Sequence, residues 1–128
     1  MFQKLNIMGY GAFVTVTNQT SQAVFITITD EFCMYSNGEE GSWLSYFNNL
    51  TLQAGATYPN TPNGVYIEVK DGDYCTIHTS TFNMQIGEIG AIAFSERHDG
   101  YSSSQPTGIT VKIDNSGAQA VITITISG

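Results

Sequence analysis

Apolar and polar residues alternate in two stretches of this chain that resemble each other. The first is VTVTNQTSQAV, residues 14–24, and the second is VKIDNSGAQAV, residues 111–121. In both, Val or Ile alternates with Thr or Lys, so an extended strand would carry its apolar side chains on one face. The Asn, Asp, Ser and Gly residues between the arms favour tight turns. Each stretch therefore predicts a β-hairpin.

A third hairpin is predicted over residues 65–76, where VYIEVK and DYCTI flank Asp71-Gly72. Asp-Gly favours a type I′ turn, the commonest turn in two-residue hairpins. That register would set Lys70 opposite Asp73 and Glu68 opposite Cys75. Residues 79–84 and 86–94 give two further candidate strands, and residues 2–8 give a first one.

Residues 43–47, WLSYF, are the densest aromatic run and can be interpreted in two ways. Trp43, Tyr46, Phe47 and Leu50 have helical spacing, and Ser42 precedes them as a candidate cap. In a strand, Trp43 and Phe47 would share one face. We favour the strand because no long amphipathic helix is found in the remainder of the chain.

A lone hairpin is marginally stable in water, so each predicted hairpin needs a second layer over its apolar face. The frequent turns and short apolar runs predict about 8–10 strands, which is typical of a sandwich or barrel. At 128 residues, with no linker-like segment, the chain has the size of one domain. We therefore expect a single all-β domain over residues 1–128, an antiparallel β-sandwich.

The charge balance limits the partners that the chain can bind. Four Lys and Arg residues oppose eleven Asp and Glu residues, giving a net charge of −7. Nucleic acids and anionic membranes bind clusters of Lys and Arg, so we expect neither as a partner. Neutral lipid membranes, glycans and uncharged protein surfaces remain as candidate partners.

The first residues, MFQKLNIMGYGAF, lack the continuous apolar run of a secretory signal peptide. No stretch has the length of a transmembrane helix. We expect synthesis in the cytoplasm, with leaderless secretion as the alternative, and the final compartment is left open.

Cys33 and Cys75 are the only cysteines. They can form one disulfide or remain two buried thiols, and the sequence leaves both open. No Cys or His spacing fits zinc. Asp71 and Asp73 could hold calcium together with two glutamates, but their spacing is not that of an EF-hand. We therefore predict no metal and no cofactor, with calcium near Asp71 and Asp73 left open.

Candidate catalytic groups are few. The only histidines are His78 and His98, and His98 lies within the charged run 96–99, ERHD. Adjacent residues of a loop rarely converge on one point, so a solvated turn explains this run equally well. The serines at 102–104 lack the context of a nucleophile elbow, and no phosphate-binding loop is found. We predict that the protein is not an enzyme.

Aromatic residues beside predicted loops are the best candidates for a binding site. Such rings have an apolar face and, in Tyr and Trp, a polar edge, which suits sugars and lipid headgroups. The alternative is that half of them fill the ends of the core. The predicted ligand-binding residues are Trp43, Tyr46, Tyr58 and Tyr101.

Three segments carry a resemblance to a known family. Residues 14–20, VTVTNQT, resemble the first strand and turn of the aegerolysins and related small insecticidal proteins. Residues 52–57, LQAGAT, are similar to a strand-entry turn of that family, and residues 121–126, VITITI, to its last strand. The chain departs from the family in two ways. Trp43 is its single Trp, whereas family members usually have several, and Cys75 is not followed by the Gly-Arg of the family. The resemblance implies recognition of lipid headgroups and pore formation with a larger protein partner.

Three functional hypotheses follow. The first is a non-catalytic recognition module for neutral lipid or carbohydrate, as part of a pore-forming or insecticidal toxin if the resemblance holds. The second is a self-assembling structural protein of capsid, fibre or inclusion type, a homo-oligomer whose Thr-rich strand edges pair with another chain. The third, a small hydrolase using His98 and an acid, has the least support.

Overall fold

Eleven strands form within residues 10–97 and 100–128, the part of the chain described by the computed structural model. The prediction of 8–10 strands was therefore slightly low, and the predicted strand at residues 2–8 lies outside the described residues. The strands are β1 Gly11–Asn18, β2 Val24–Phe32, β3 Met34–Tyr35, β4 Leu50–Leu52, β5 Thr57–Tyr58, β6 Val65–Val69, β7 Ser80–Ile86, β8 Gly90–Glu96, β9 Tyr101–Ser103, β10 Ile109–Asp114 and β11 Ala120–Ile126.

Two sheets contain these strands. The first has the order β10-β11-β1-β6-β3, and the second has the order β4-β2-β7-β8-β9. The short strand β5 also pairs with β1, beyond the end of its pairing with β6. Antiparallel pairing dominates, and the predicted all-β sandwich is confirmed. The pair β1 and β11 is parallel, however, which the alternation of residues could not reveal.

The core lies between the two sheets and is built from the apolar positions of the alternating pattern. Its members are the inward side chains of both sheets. Burying one Val, Leu, Ile, Phe or Met side chain completely stabilises the folded state by about 1.5–3 kcal/mol relative to leaving it exposed. Those contributed by the longest strands include Val14, Val16, Ile26, Ile28, Phe82, Met84, Ile86, Ile92, Phe94, Ile122, Ile124 and Ile126.

The two similar segments fold differently. Residues 111–121 form the predicted hairpin, because β10 and β11 pair with each other. Residues 14–24 do not, because β1 belongs to the first sheet and β2 to the second. The buried Asn18 stabilises this crossing: its side-chain amide donates to the carbonyls of Gln22 at 2.8 Å and Leu52 at 3.0 Å. Alternation fixes which side chains point inward, but not which strand lies alongside.

The predicted hairpin over residues 65–76 is also wrong. The chain leaves β6 after Val69 and forms a single helical turn, α1, at Asp73–Thr76. Gly72 is extended, with φ −69° and ψ 176°, rather than in a type I′ turn. The Lys70 amide donates to the Cys33 carbonyl at 2.8 Å, so the backbone after β6 is bound to the β2–β3 connection. The strand register that would set Lys70 opposite Asp73 and Glu68 opposite Cys75 therefore does not form.

Cys33 and Cys75 form a disulfide, with their Cα atoms 5.6 Å apart. Of the two alternatives left open by the sequence, the structure has the bonded one. The bond joins two connections that cross from one sheet to the other, β2 to β3 and β6 to β7. Two sheet crossings are thereby fixed at the same place.

We expect loss of this disulfide to destabilise the fold by about 2–4 kcal/mol, because it closes a loop between residues 42 positions apart and restricts the unfolded chain. The measurement is urea unfolding of the oxidised protein, the reduced protein and the Cys33→Ser/Cys75→Ser variant. Identical unfolding midpoints for all three would show that the bond adds no stability.

The edges of β9 and β10, each at the end of its sheet, are closed by side-chain amides. Gln105 accepts from the Val111 amide at 3.1 Å and donates to the Val111 carbonyl at 2.9 Å. Asn115 accepts from the Tyr101 amide at 3.0 Å and donates to its carbonyl at 3.1 Å. Each side chain occupies backbone groups that would otherwise be free to pair with another strand.

Removing the Gln105 amide should therefore open the edge of β10. We expect Gln105→Ala to form dimers or larger species at concentrations where the unaltered protein elutes as one smaller species. Size-exclusion chromatography over a concentration series measures this. Gln53→Ala, at an exposed position outside both edges, is the control. Equal elution of all three proteins would contradict the blocking role of Gln105.

Candidate functional site

Residues 43–47 do not form the strand that we favoured. Leu44–Phe47 is a 3₁₀ helix, in which residues three apart lie on the same side. Leu44 and Phe47 have that spacing, and both are completely buried. Trp43 and Tyr46 have the same spacing on the opposite side. The helical alternative was therefore right in type over one turn only, because Phe47 lies opposite Trp43 and Tyr46 and Leu50 begins β4. Ser42 does not cap the turn with its side chain.

Trp43 and Tyr46 stack against each other on the outside of this turn. Their ring centroids are 4.7 Å apart and their planes differ by 13°. The side chains are 38% and 47% exposed, which is unusual for two large rings in contact with each other. Gly38, at φ +97°, packs so closely against the indole that a Cβ atom there would lie 2.9 Å from Cζ2. The indole is therefore held between Gly38 and Tyr46.

Backbone and hydroxyl hydrogen bonds hold the turn to the first sheet. The Trp43 amide donates to the Tyr66 carbonyl at 2.9 Å, which continues the β6 edge beyond β3. The buried Ser42 hydroxyl donates to the Tyr35 carbonyl at 2.8 Å and accepts from the Glu68 amide at 2.9 Å. The stacked rings thus sit on a fixed base rather than on a free loop.

Tyr58 meets the buried side of the same turn. It belongs to β5, and its ring meets that of the buried Phe47 edge to face, with centroids 5.7 Å apart. Burial raises the pKa of the Tyr58 phenol, and the Tyr46 phenol adds a smaller contribution to the rise. Two of the four predicted residues, Trp43 and Tyr46, are therefore in contact, whereas Tyr58 packs against the core through Phe47. We call Trp43 and Tyr46 the aromatic platform.

Tyr101 is not part of the platform. Only 4% of it is exposed, and its hydroxyl donates to the Tyr10 carbonyl at 2.8 Å. Burial, followed by the nearby Glu96 carboxylate, raises its pKa well above the usual value. Tyr101 pairs with Glu96 on the inner side of the second sheet, so its ring fills the end of the core. This burial removes Tyr101 from the set of surface contact residues.

Two aromatic residues outside the predicted set form a second pair on the first sheet. Phe13 and Tyr66 face each other across β1 and β6 on the outer surface of the first sheet, with ring centroids 5.3 Å apart. Phe13 alternates with buried Ala12 and Val14, so the period of two already indicated its outward direction. What the sequence could not show was that β6 pairs with β1.

A nearly buried carboxylate lies next to Tyr66. Glu68 is 5% exposed and accepts a 2.5 Å hydrogen bond from the Tyr66 hydroxyl. Burial raises the pKa of Glu68, the Tyr66 hydrogen bond opposes this, and the Glu40 and Asp71 carboxylates add to the rise. The pKa of Tyr66 is raised by burial and by the same hydrogen bond.

Because the pKa of Glu68 is higher in the fold than its usual value, folding favours the protonated acid. Stability from this group is present below the usual value of 4.5 and is lost as the pH rises through the higher folded pKa. We therefore expect Glu68→Gln to raise the urea midpoint at neutral pH, and this gain to shrink on acidification towards pH 4.5.

Glu88→Gln, at an exposed site between β7 and β8, controls for the loss of one negative charge. A Glu68→Gln variant that is less stable than the unaltered protein at every pH would show that the carboxylate itself stabilises the fold.

The described residues provide little support for catalysis or metal binding. The Nδ1 atom of His78 lies 2.7 Å from the Tyr74 carbonyl, and its ring stacks on that of Tyr74 with centroids 4.1 Å apart. His98 and Asp99 lie outside the described residues, so the hydrolase hypothesis stays a prediction. Among the residues whose side chains the structure describes, no group of three His, Cys, Asp or Glu residues is arranged to hold a metal ion. The side chain of Asp73 lies outside that set, so calcium near Asp71 and Asp73 stays an open question.

No helix in the described part of the chain is long and apolar enough to span a membrane. No protein-family model matches the chain, and no curated protein shows significant sequence similarity to it. The aromatic platform and its surroundings are therefore the features of this protein that bear on its function.

Proposed function

We propose that this protein is a non-catalytic recognition module that binds a neutral, hydroxyl-rich ligand, a glycan or an uncharged lipid headgroup, through the aromatic platform. The observation that carries the proposal is the exposed stack of Trp43 on Tyr46. Large rings are normally buried, and an exposed, firmly positioned cluster of them is typical of a binding surface.

The chemistry of the rings supports such a ligand. The exposed part of the stack, which is largest on Tyr46 at 47%, can pack against the apolar C–H face of a sugar ring, while the Tyr46 hydroxyl and the indole N–H can bond its hydroxyl groups. The net charge of −7 disfavours anionic ligands and does not oppose neutral ones. Two stacked rings also suit a sugar ring better than a membrane interior. Neither ring projects alone from the surface, as a side chain that inserts between lipid molecules would.

The closed edges of β9 and β10 favour recognition over self-assembly, because edge pairing is the simplest route by which a β-sandwich polymerises. If the ligand is a lipid headgroup, the resemblance to aegerolysins further suggests a toxin component that forms pores with a larger protein partner. A glycan ligand would make that partner unnecessary.

We expect Trp43→Ala to weaken binding about ten-fold or more, since it removes the larger ring of the stack. The melting temperature should change little, because the indole is partly exposed and lies outside the core. Binding is measured by co-sedimentation with neutral lipid vesicles of varied headgroup and sterol content, and by affinity for a panel of neutral glycans.

Phe25→Ala is the matched control, since Phe25 is 49% exposed on a strand of the other sheet. Binding that survives Trp43→Ala undiminished would rule out the platform as the site. A large fall in melting temperature would instead assign Trp43 a structural role.

A further inference from the structure

A polar cavity lies beside β9, the edge strand of the second sheet. Its volume is about 270 Å³, and residues of β8, of β9 and of the segments next to β9 and β10 surround it. The lining residues are Ser95, Arg97, Gly100, Tyr101, Ser102 and Asn115. None of them belongs to the aromatic platform, so the cavity is a separate candidate site.

Arg97 distinguishes this cavity from the rest of the acidic surface. It is the only arginine of the chain, which has four Lys and Arg residues against eleven Asp and Glu residues. Its side chain is exposed, and no other described residue forms an ion pair or a hydrogen bond with its guanidinium. A guanidinium stays charged and carries five N–H donors in a planar fork. All of these donors are therefore available to a molecule in the cavity.

Two serine hydroxyls add a further donor to the cavity. Ser95 on β8 and Ser102 on β9 lie opposite each other in the strand register, and their Oγ atoms are 2.8 Å apart. One hydroxyl donates to the other, so this contact uses only one of the two protons. The second proton can be donated to a bound molecule.

The Asn115 amide fixes the shape of the cavity. It bonds both backbone groups of Tyr101, and its Nδ2 atom uses one of two N–H donors for the Tyr101 carbonyl at 3.1 Å. Gly100, at φ +139°, makes room for this amide, because a Cβ atom there would lie 2.6 Å from the Asn115 Cγ atom. The Arg97 amide donates to the Gly100 carbonyl at 3.4 Å, so Arg97 is joined to the same wall.

Two described carboxylates adjoin lining residues in the sequence, and both are directed elsewhere. Asp114 precedes Asn115, and its Oδ1 atom accepts from the Ser116 amide at 2.9 Å and the Ser116 hydroxyl at 2.6 Å. Glu96 precedes Arg97 but is buried on the inner face of β8, opposite to the face of Ser95. The field of the net charge of −7 is screened beyond about 8 Å at physiological ionic strength. The guanidinium therefore determines which charge the cavity prefers.

We propose that this cavity binds a small oxyanion, either a free ion or the carboxylate, sulfate or phosphate group of a larger molecule. The Arg97 guanidinium donates charge-assisted hydrogen bonds to two oxygens of such a group, which its planar fork matches. The Ser95–Ser102 pair and the Asn115 amide supply the remaining donors. This site goes beyond the proposed function, because the aromatic platform takes a neutral ligand and shares no residue with the cavity.

The test uses the single arginine as its own reporter. Arg97 gives the only arginine Nε–H signal in a proton–nitrogen NMR correlation spectrum of the full chain. We expect this signal to shift and saturate during titration with sodium phosphate, sulfate, acetate or glucuronate, with sodium chloride keeping the ionic strength constant. Similar affinities for all four would assign the site to free oxyanions, and tighter binding of glucuronate to an acidic group on a sugar. No saturable shift with any of them would overturn the proposal.

Variants of Arg97 separate its charge from its geometry, with the backbone amides of Ser95 and Ser102 as the signals that are followed. Arg97→Gln should weaken binding about ten-fold or more, because it removes the charge-assisted donors. Arg97→Lys should restore only part of the affinity, since an ammonium group lacks the planar fork. Lys112→Gln, which removes one positive charge at an exposed position of β10, is the matched control and should bind normally. Full binding by Arg97→Gln, or an equal loss in Lys112→Gln, would contradict a site built around Arg97.

Discussion

The position of β1 at the centre of the first sheet is the constraint on which most of this structure depends. On one side it pairs in parallel with β11, near the end of the chain, and on the other it pairs with both β5 and β6. Such a strand must bury its inward residues completely, as Val14 and Val16 do. Its outward residues are then fixed as well, because the period of a strand is two. Phe13 owes its place on the sheet surface to this requirement.

The same strand assembles the candidate site from distant parts of the sequence. β5 brings Tyr58 beside β1, and β6 provides both Tyr66 and the carbonyl that holds Trp43. In the 3₁₀ turn, residues three apart lie on the same side, so Leu44 and Phe47 pack into the core while Trp43 and Tyr46 remain outside. An exposed pair of rings can be kept this rigid because the turn is anchored by its own buried residues.

Much of the inward and outward pattern could be predicted from the sequence, and the neighbours of each strand could not. Alternation identified the faces of β1, β10 and β11 correctly, yet residues 14–24 and 111–121 fold differently, since pairing depends on contacts far along the chain. Asp71-Gly72 is a good local signal for a hairpin, but the Cys33–Cys75 bond and the Lys70 hydrogen bond direct the chain elsewhere. Of the four predicted site residues, Trp43 and Tyr46 stack on each other. Tyr58 and Tyr101 pack against or within the core instead, because aromatic residues near turns can equally fill its ends.

The distribution of charge explains how an acidic sandwich can keep a binding face open. Acidic side chains occur mainly in connections and near strand ends, for example Glu39, Glu40 and Asp71, whereas the outer residues of β1 are Thr and Phe. Mutual repulsion at a net charge of −7 disfavours contact between copies of the chain, and the amides of Gln105 and Asn115 close two sheet edges. An uncharged ligand meets neither barrier. The surface that remains available is therefore the one that carries the exposed rings.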